Sequence, residues 1–139
     1  MIKSAGAFSI AVVLLLAGTV SSQTISPQPE LTPDPEPIKY VDQPPPVGTP
    51  QAAMVDLVLL REGGRIEEAA KLVSKECPDW LRAGMLNPVG PMKKETLTYQ
   101  LREYTPEKAL VSVDYHTENG TFKGWTRSVI REDGKWVVR

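Results

Sequence analysis

The chain has 139 residues, with 41% hydrophobic and 24% charged positions and a formal net charge of −1. That is room for one domain, and the near-neutral balance excludes a bulk electrostatic case for nucleic acid. One Cys and one His exclude a disulfide framework and the common Cys/His zinc sites, so no metal site and no cofactor is expected.

Lys3 is the only charge ahead of Glu30. The run Ala5–Ala17 is apolar around Leu14-Leu15-Leu16, and small residues follow from Gly18 to Ser22. A charged start, an apolar middle and a small-residue end predict a secretory signal peptide over residues 1–22, cleaved before Gln23. The expected location is therefore periplasmic or extracellular. The alternative is an uncleaved anchor formed by residues 5–20, although the apolar stretch is shorter than the roughly 20 residues that span a bilayer. In an exported protein, unpaired Cys77 is expected as a small buried hydrophobe in phase with an apolar helical stripe.

Nine of the thirteen prolines fall between Gln23 and Pro50. So few backbone donors and apolar side chains predict an extended, disordered proline-rich linker over residues 23–50. One domain is then expected over residues 51–139, its charges mixed along the chain.

Thr49-Pro50 is a helix start, and Gly63-Gly64 closes the first helix after Ala52, Val55, Val58 and Leu59. A second helix is predicted from Arg65 to about Glu76, on the stripe Ile66, Ala69, Ala70, Val73 and Cys77. Asp79 to Gly84 reads as a short third helix capped by Asp79. Beyond Pro91 the period becomes two. Leu97, Tyr99 and Leu101 mark one half-buried strand, and Ala109, Val111, Val113 and Tyr115 the next.

Asn119-Gly120 predicts a two-residue hairpin turn. That register sets Thr117 against Phe122, Tyr115 against Gly124, Val113 against Thr126 and Ala109 against Ile130 on the inner face. Asp133-Gly134 opens a final hairpin. A three-residue turn with a bulge, pairing Ile130 with Trp136, is preferred because it buries Trp136 and Val138. The expected fold is α+β, with two or three N-terminal helices packed on a four-stranded antiparallel sheet.

Helices followed by a meander that ends in Glu132-Asp133-Gly134-Lys135-Trp136-Val137-Val138 resemble the nuclear transport factor 2-like superfamily. The helix start Gly63-Gly64-Arg65-Ile66-Glu67-Glu68-Ala69-Ala70 carries the same likeness, which narrows to small exported bacterial domains of unknown function. The resemblance covers about residues 51–139 and implies a curved, cone-like sheet with an interior pocket. Enzymes, carriers and interaction modules share that cone, so the fold leaves function open.

Asp114 and His116 lie two apart on one strand, where a dyad could serve as general base, but the register sets both on the face away from the helices. Trp80, Tyr99, Tyr115, Phe122 and Trp136 are the candidate lining of an apolar ligand pocket. The reading is a binding or interaction module, not an enzyme, that takes a small apolar ligand or a partner protein. Trp125, Lys123, Arg127 and Arg131 form a candidate contact surface on the outer face, where a second copy in a homodimer is one expected partner. A membrane partner is expected only if the N-terminal segment stays uncleaved. The alternatives are a dehydratase- or isomerase-type enzyme using the cone interior and a cystatin-like inhibitor, for which no glycine-bearing inhibitory loop is found.

Overall fold

A computed structural model of the chain describes residues 31–139. The expected signal peptide and residues 23–30 lie outside the described residues. The elements in chain order are β1 (Ile38–Lys39), α1 (Pro50–Glu62), α2 (Ile66–Ala70), α3 (Asp79–Met85), β2 (Met92–Tyr104), β3 (Lys108–Thr117), β4 (Phe122–Glu132) and β5 (Lys135–Val138). The fold is α+β: three helices and an open five-stranded antiparallel sheet in the order β1-β2-β3-β4-β5.

The fifth strand comes from the proline-rich stretch, whose compact unit begins at Leu31 and not at residue 51. Prolines lack donors, but the residues between them supply what a sheet edge needs. Asp34 exchanges bonds with Leu101, its N–H donating to the Leu101 carbonyl and its carboxylate accepting from the Leu101 N–H, both at 2.8 Å. Ile38 pairs with Tyr99 and Lys39 with Thr98, while the Tyr40 N–H reaches the Leu97 carbonyl at 3.0 Å. Leu31, Ile38 and Tyr40 pack against the core. From Leu31 onward, this stretch is therefore an edge of the domain, where an unpacked spacer was expected.

α1 begins as its sequence dictates. The Thr49 hydroxyl accepts from the Ala52 N–H at 3.2 Å, with Pro50 in the first turn. Met54, Val55, Leu57 and Val58 are buried against the sheet. α2 is far shorter than its apolar stripe predicts. At Lys71 the chain leaves the helix because the next backbone groups are taken by the sheet. Val73 bridges Val138 in parallel, the Val138 N–H donates to the Leu72 carbonyl, and the Ser74 N–H donates to the Val138 carbonyl. Ala69, Val73 and Cys77 are buried all the same. In α3 the N-cap position belongs to Pro78. Asp79 sits inside the first turn and its side chain makes no capping bond, contrary to the expectation.

The inner face of β2 and β3 carries Leu97, Tyr99, Leu101, Ala109, Val111, Val113 and Tyr115, all buried as the alternation requires. β4 is slipped by one residue from the predicted register. Tyr115 pairs with Lys123, Asp114 with Gly124, Val113 with Trp125 and Ala109 with Val129. The cause lies in the turn. A two-residue turn needs positive φ at Asn119, yet among the described residues Asp133 is the only non-glycine with positive φ. Instead Glu118-Asn119-Gly120 form a three-residue loop with Gly120 at φ 88°, closed by the Thr117 N–H on the Thr121 carbonyl at 2.8 Å. The Thr117 hydroxyl and the Asn119 carboxamide both accept from the Thr121 N–H at 3.1 Å and hold that loop.

A one-residue slip turns every side chain of a strand over. Trp125 and Val129 therefore face inward, and Phe122 faces outward, 57% exposed. The second hairpin slips back. Asp133 (φ 52°) and Gly134 (φ 79°) make a two-residue turn that pairs Glu132 with Lys135 and Arg131 with Trp136, so the predicted bulge is absent. The two departures cancel, and Trp136 and Val138 are buried after all, at 7% and 0% exposure. Trp136→Ala is expected to lower stability by about 3 kcal/mol or more. Urea unfolding measures it, and a near-neutral result would contradict the packing of β5.

Candidate functional site

Met54, Leu57, Val58 and Arg61 follow helical spacing on α1, so the buried stripe of this helix ends in a guanidinium. The Arg61 and Glu62 side chains are 1% and 2% exposed, and they form an ion pair at 2.9 Å. Burying two charges is unfavourable unless the remaining donors and acceptors are also met. Here most are met. Arg61 donates to the Met85 carbonyl at 3.1 Å and to the Tyr115 hydroxyl at 2.5 Å, and its guanidinium lies 4.3 Å from the ring centroid of Trp125. Its Nε has no hydrogen-bond partner among the described residues. Glu62 accepts from the Tyr115 hydroxyl at 2.7 Å and from the Val89 N–H at 2.9 Å and the Gly90 N–H at 3.3 Å.

Burial alone would push the Glu62 carboxyl up. The Tyr115 hydroxyl, the Arg61 charge and the Gly90 and Val89 amides outweigh it, and the carboxyl is held below its ordinary value of 4.5. The Tyr115 phenol is pushed far above its ordinary 10.0, by burial first and then by its bond to Glu62. The resting state is thus a carboxylate, a guanidinium and a neutral phenol, locked on one another.

Apart from this network, α1, α2 and β5 border an open groove of about 500 Å³. Leu59, Leu60, Leu72, Trp136 and Val137 give it an apolar floor, and Asp56, Glu68, Lys71 and Lys135 line its lip. A smaller cleft of about 260 Å³ continues past Thr49 and Ala52, sharing Asp56, Leu72, Lys135 and Trp136. Glu68 is engaged by Arg65. Burial pushes the Asp56 carboxyl above its ordinary 3.8.

The five residues expected to line one pocket are dispersed. Tyr99 is buried under β1, its hydroxyl donating to the Gln43 carbonyl at 2.6 Å. Tyr115 belongs to the buried network. Trp136 forms part of the groove floor, with Tyr104 and Arg131 packed on its ring. Trp80 is 75% exposed on α3, and Phe122 is turned outward by the slipped register, its ring 5.1 Å from that of His116. Asp114 and His116 are on the outer face with Gly124 and Phe122 as neighbours. Lys123, Trp125, Arg127 and Arg131, expected outside, share the register positions of the inner face. Sequence reasoning missed Arg61, Glu62 and Asp56. The signal for Arg61 was present in an apolar stripe that ends in arginine.

Among the described residues, no group of three or more His, Cys, Asp or Glu side chains is arranged to hold a metal ion. Nor is any helix there long and apolar enough to cross a membrane. Comparisons with protein-family models, with curated proteins and with solved structures give no match.

The lowered Glu62 carboxyl contributes stability that is fully present above pH 4.5 and is lost as pH falls through its folded value. Glu62→Gln should therefore flatten the acid limb of a stability–pH profile. The raised Tyr115 phenol contributes stability that is present below pH 10.0 and is lost as the medium becomes more alkaline, so Tyr115→Phe should flatten the alkaline limb. Urea midpoints across the pH range report both. Unchanged limbs in the two variants would contradict the network.

Proposed function

We propose that this chain is an exported binding module, not an enzyme, whose groove between α1, α2 and β5 takes a small apolar or amphiphilic ligand. The observation that carries the reading is the pairing of an open apolar floor with a closed polar network. Leu59, Leu60 and Leu72, only partly buried, form an apolar wall to the groove over the more deeply buried Trp136 and Val137. Tyr115 and Glu62, the titratable pair of the interior, are bound to each other and to Arg61 and are shifted away from neutral pH in opposite directions. Export rests on the charge and apolar pattern of residues 1–22. The order α1-α2-α3 followed by the meander β2-β3-β4-β5 is what supports a nuclear-transport-factor-2-like cone as part of the same proposal, with β1 added ahead of the helices. The rival, a dehydratase- or isomerase-type enzyme, draws on one feature, the raised Asp56 carboxyl at the groove lip.

Native mass spectrometry of the chain recovered from an exporting host tests the reading. The expected species starts at Gln23 and retains a small molecule. The apolar probe anilinonaphthalene sulfonate should also bind it, with Leu60→Glu and Leu72→Glu weakening that binding at least about tenfold, the loss expected from about 1.4 kcal/mol of contact. Trp80→Ala, away from the groove, should leave it unchanged. Equal probe binding by all three variants overturns the groove as the site.

A further inference from the structure

β5 pairs with β4 only from Val129 to Glu132, and beyond it the Arg139 N–H reaches the Ser128 carbonyl at 2.8 Å. The stretch from Phe122 to Arg127 therefore borders an open sheet edge among the described residues. Ser128 turns its carbonyl toward β5, so the period of two turns the backbone N–H and C=O of Thr126, Gly124 and Phe122 the same way, outward. Sheet edges are normally blunted by proline, by a bulge, by very short length or by charges, of which this edge carries Lys123 and Arg127. This one has no proline, and its pairing with β3 runs unbroken from Lys108↔Ile130 to His116↔Phe122.

We propose that this edge pairs antiparallel with the same edge of a second copy, about a two-fold axis at Gly124. The strand is self-complementary in that register. Gly124 faces its own copy and Phe122 faces Thr126, and each of these pairs exchanges both backbone hydrogen bonds. On the inner face Lys123 comes opposite Trp125 of the second copy, an ammonium beside an indole, and Arg127 comes opposite Thr121, so no cation faces a cation. On the outer face the Phe122 ring already leans over Gly124, 3.8 Å from where a Cβ would stand. The Asp114 carboxylate fills the rest of the space over Gly124, its Oδ1 2.6 Å from the same point, and in the pair each Phe122 ring meets Thr126 of the other copy, covering a side chain that is 57% exposed in the single chain. An unrelated strand could use the same hydrogen bonds, but it would have to match this side-chain pattern by chance.

Sedimentation across a concentration series should show the purified chain as a monomer–dimer equilibrium. Thr126→Pro removes an outward N–H without touching a bond to β3, so it should give a folded monomer by circular dichroism and sedimentation. A chain that is monomeric at every concentration, or a dimer that Thr126→Pro leaves intact, overturns the proposal. Should that variant fail to fold, Gly124→Cys decides in a background of Cys77→Ser and Asp114→Ala, the latter because the Asp114 Oδ1 stands 2.6 Å from where the new Cβ would lie. Facing Cα atoms in such a pair are about 5.5 Å apart, within disulfide range. Mild oxidation should then link the copies through position 124, and a failure to link overturns the pairing.

Discussion

The structure depends on how one buried guanidinium is accommodated. Arg61 ends the apolar stripe of α1 inside the protein, where an unpaired charge would be untenable. Its partners come from elements far apart in sequence: the C-terminal carbonyl of α3, the hydroxyl of Tyr115 on β3 and the indole of Trp125 on β4. Glu62, its neighbour in the chain, ties in the loop before β2 through the amides of Val89 and Gly90. One residue thus sets the end of α1, the seat of α3 and the facing of β4 at once. A buried ion pair of this kind adds little net stability over an apolar replacement, but it penalises any arrangement that leaves one member alone. It therefore selects among packings that apolar contacts would tolerate about equally.

That selection explains why the register of β4 was not legible in the sequence. Alternation in β4 is weak, since Phe122, Trp125, Val129 and Ile130 do not share one parity, and either face can be argued from apolarity alone. Asn119-Gly120 points to the tighter turn, but the Thr117 hydroxyl and Asn119 carboxamide stabilise the three-residue loop instead. Trp125 then faces Arg61. The final hairpin departs in the opposite sense, and Trp136 reaches the interior opposite Arg131 instead of Ile130. By contrast α1, the inner faces of β2 and β3, and the burial of Cys77 followed directly from capping residues and periodicity. Those features follow from capping and period, whereas the register turned on side-chain bonds inside the Thr117–Thr121 loop and on the Trp125 contact with Arg61 that the loop permits.

The same distinction applies to the proline-rich stretch and to α2. Composition reads residues 23–50 as unpacked, but an edge strand needs only alternate donors, and within the described part Asp34, Ile38 and Tyr40 supply them between prolines. The stripe of α2 read as helix to Glu76, but Val138 claimed the backbone of Leu72 and Ser74. Where α2 breaks off, the chain opens the groove between α1 and β5, and Leu72 and Trp136 become its floor. The candidate binding site is thus a by-product of a tertiary bond that no local pattern announces. The five aromatics are dispersed by a different cause, since the slipped register turns Phe122 outward and Trp80 stands exposed on α3, and of the five Trp136 alone lines the groove.

A double-mutant cycle between Arg61→Met and Glu62→Gln, read by urea unfolding at neutral pH, tests most directly whether the buried pair organises the fold. Each single variant leaves one buried charge without its ion-pair partner, and the double variant removes both charges. The account predicts a coupling of about 1–3 kcal/mol, with the double variant no less stable than Arg61→Met alone. Additive effects with no coupling would contradict it, and would leave the apolar core as the sole determinant of the packing.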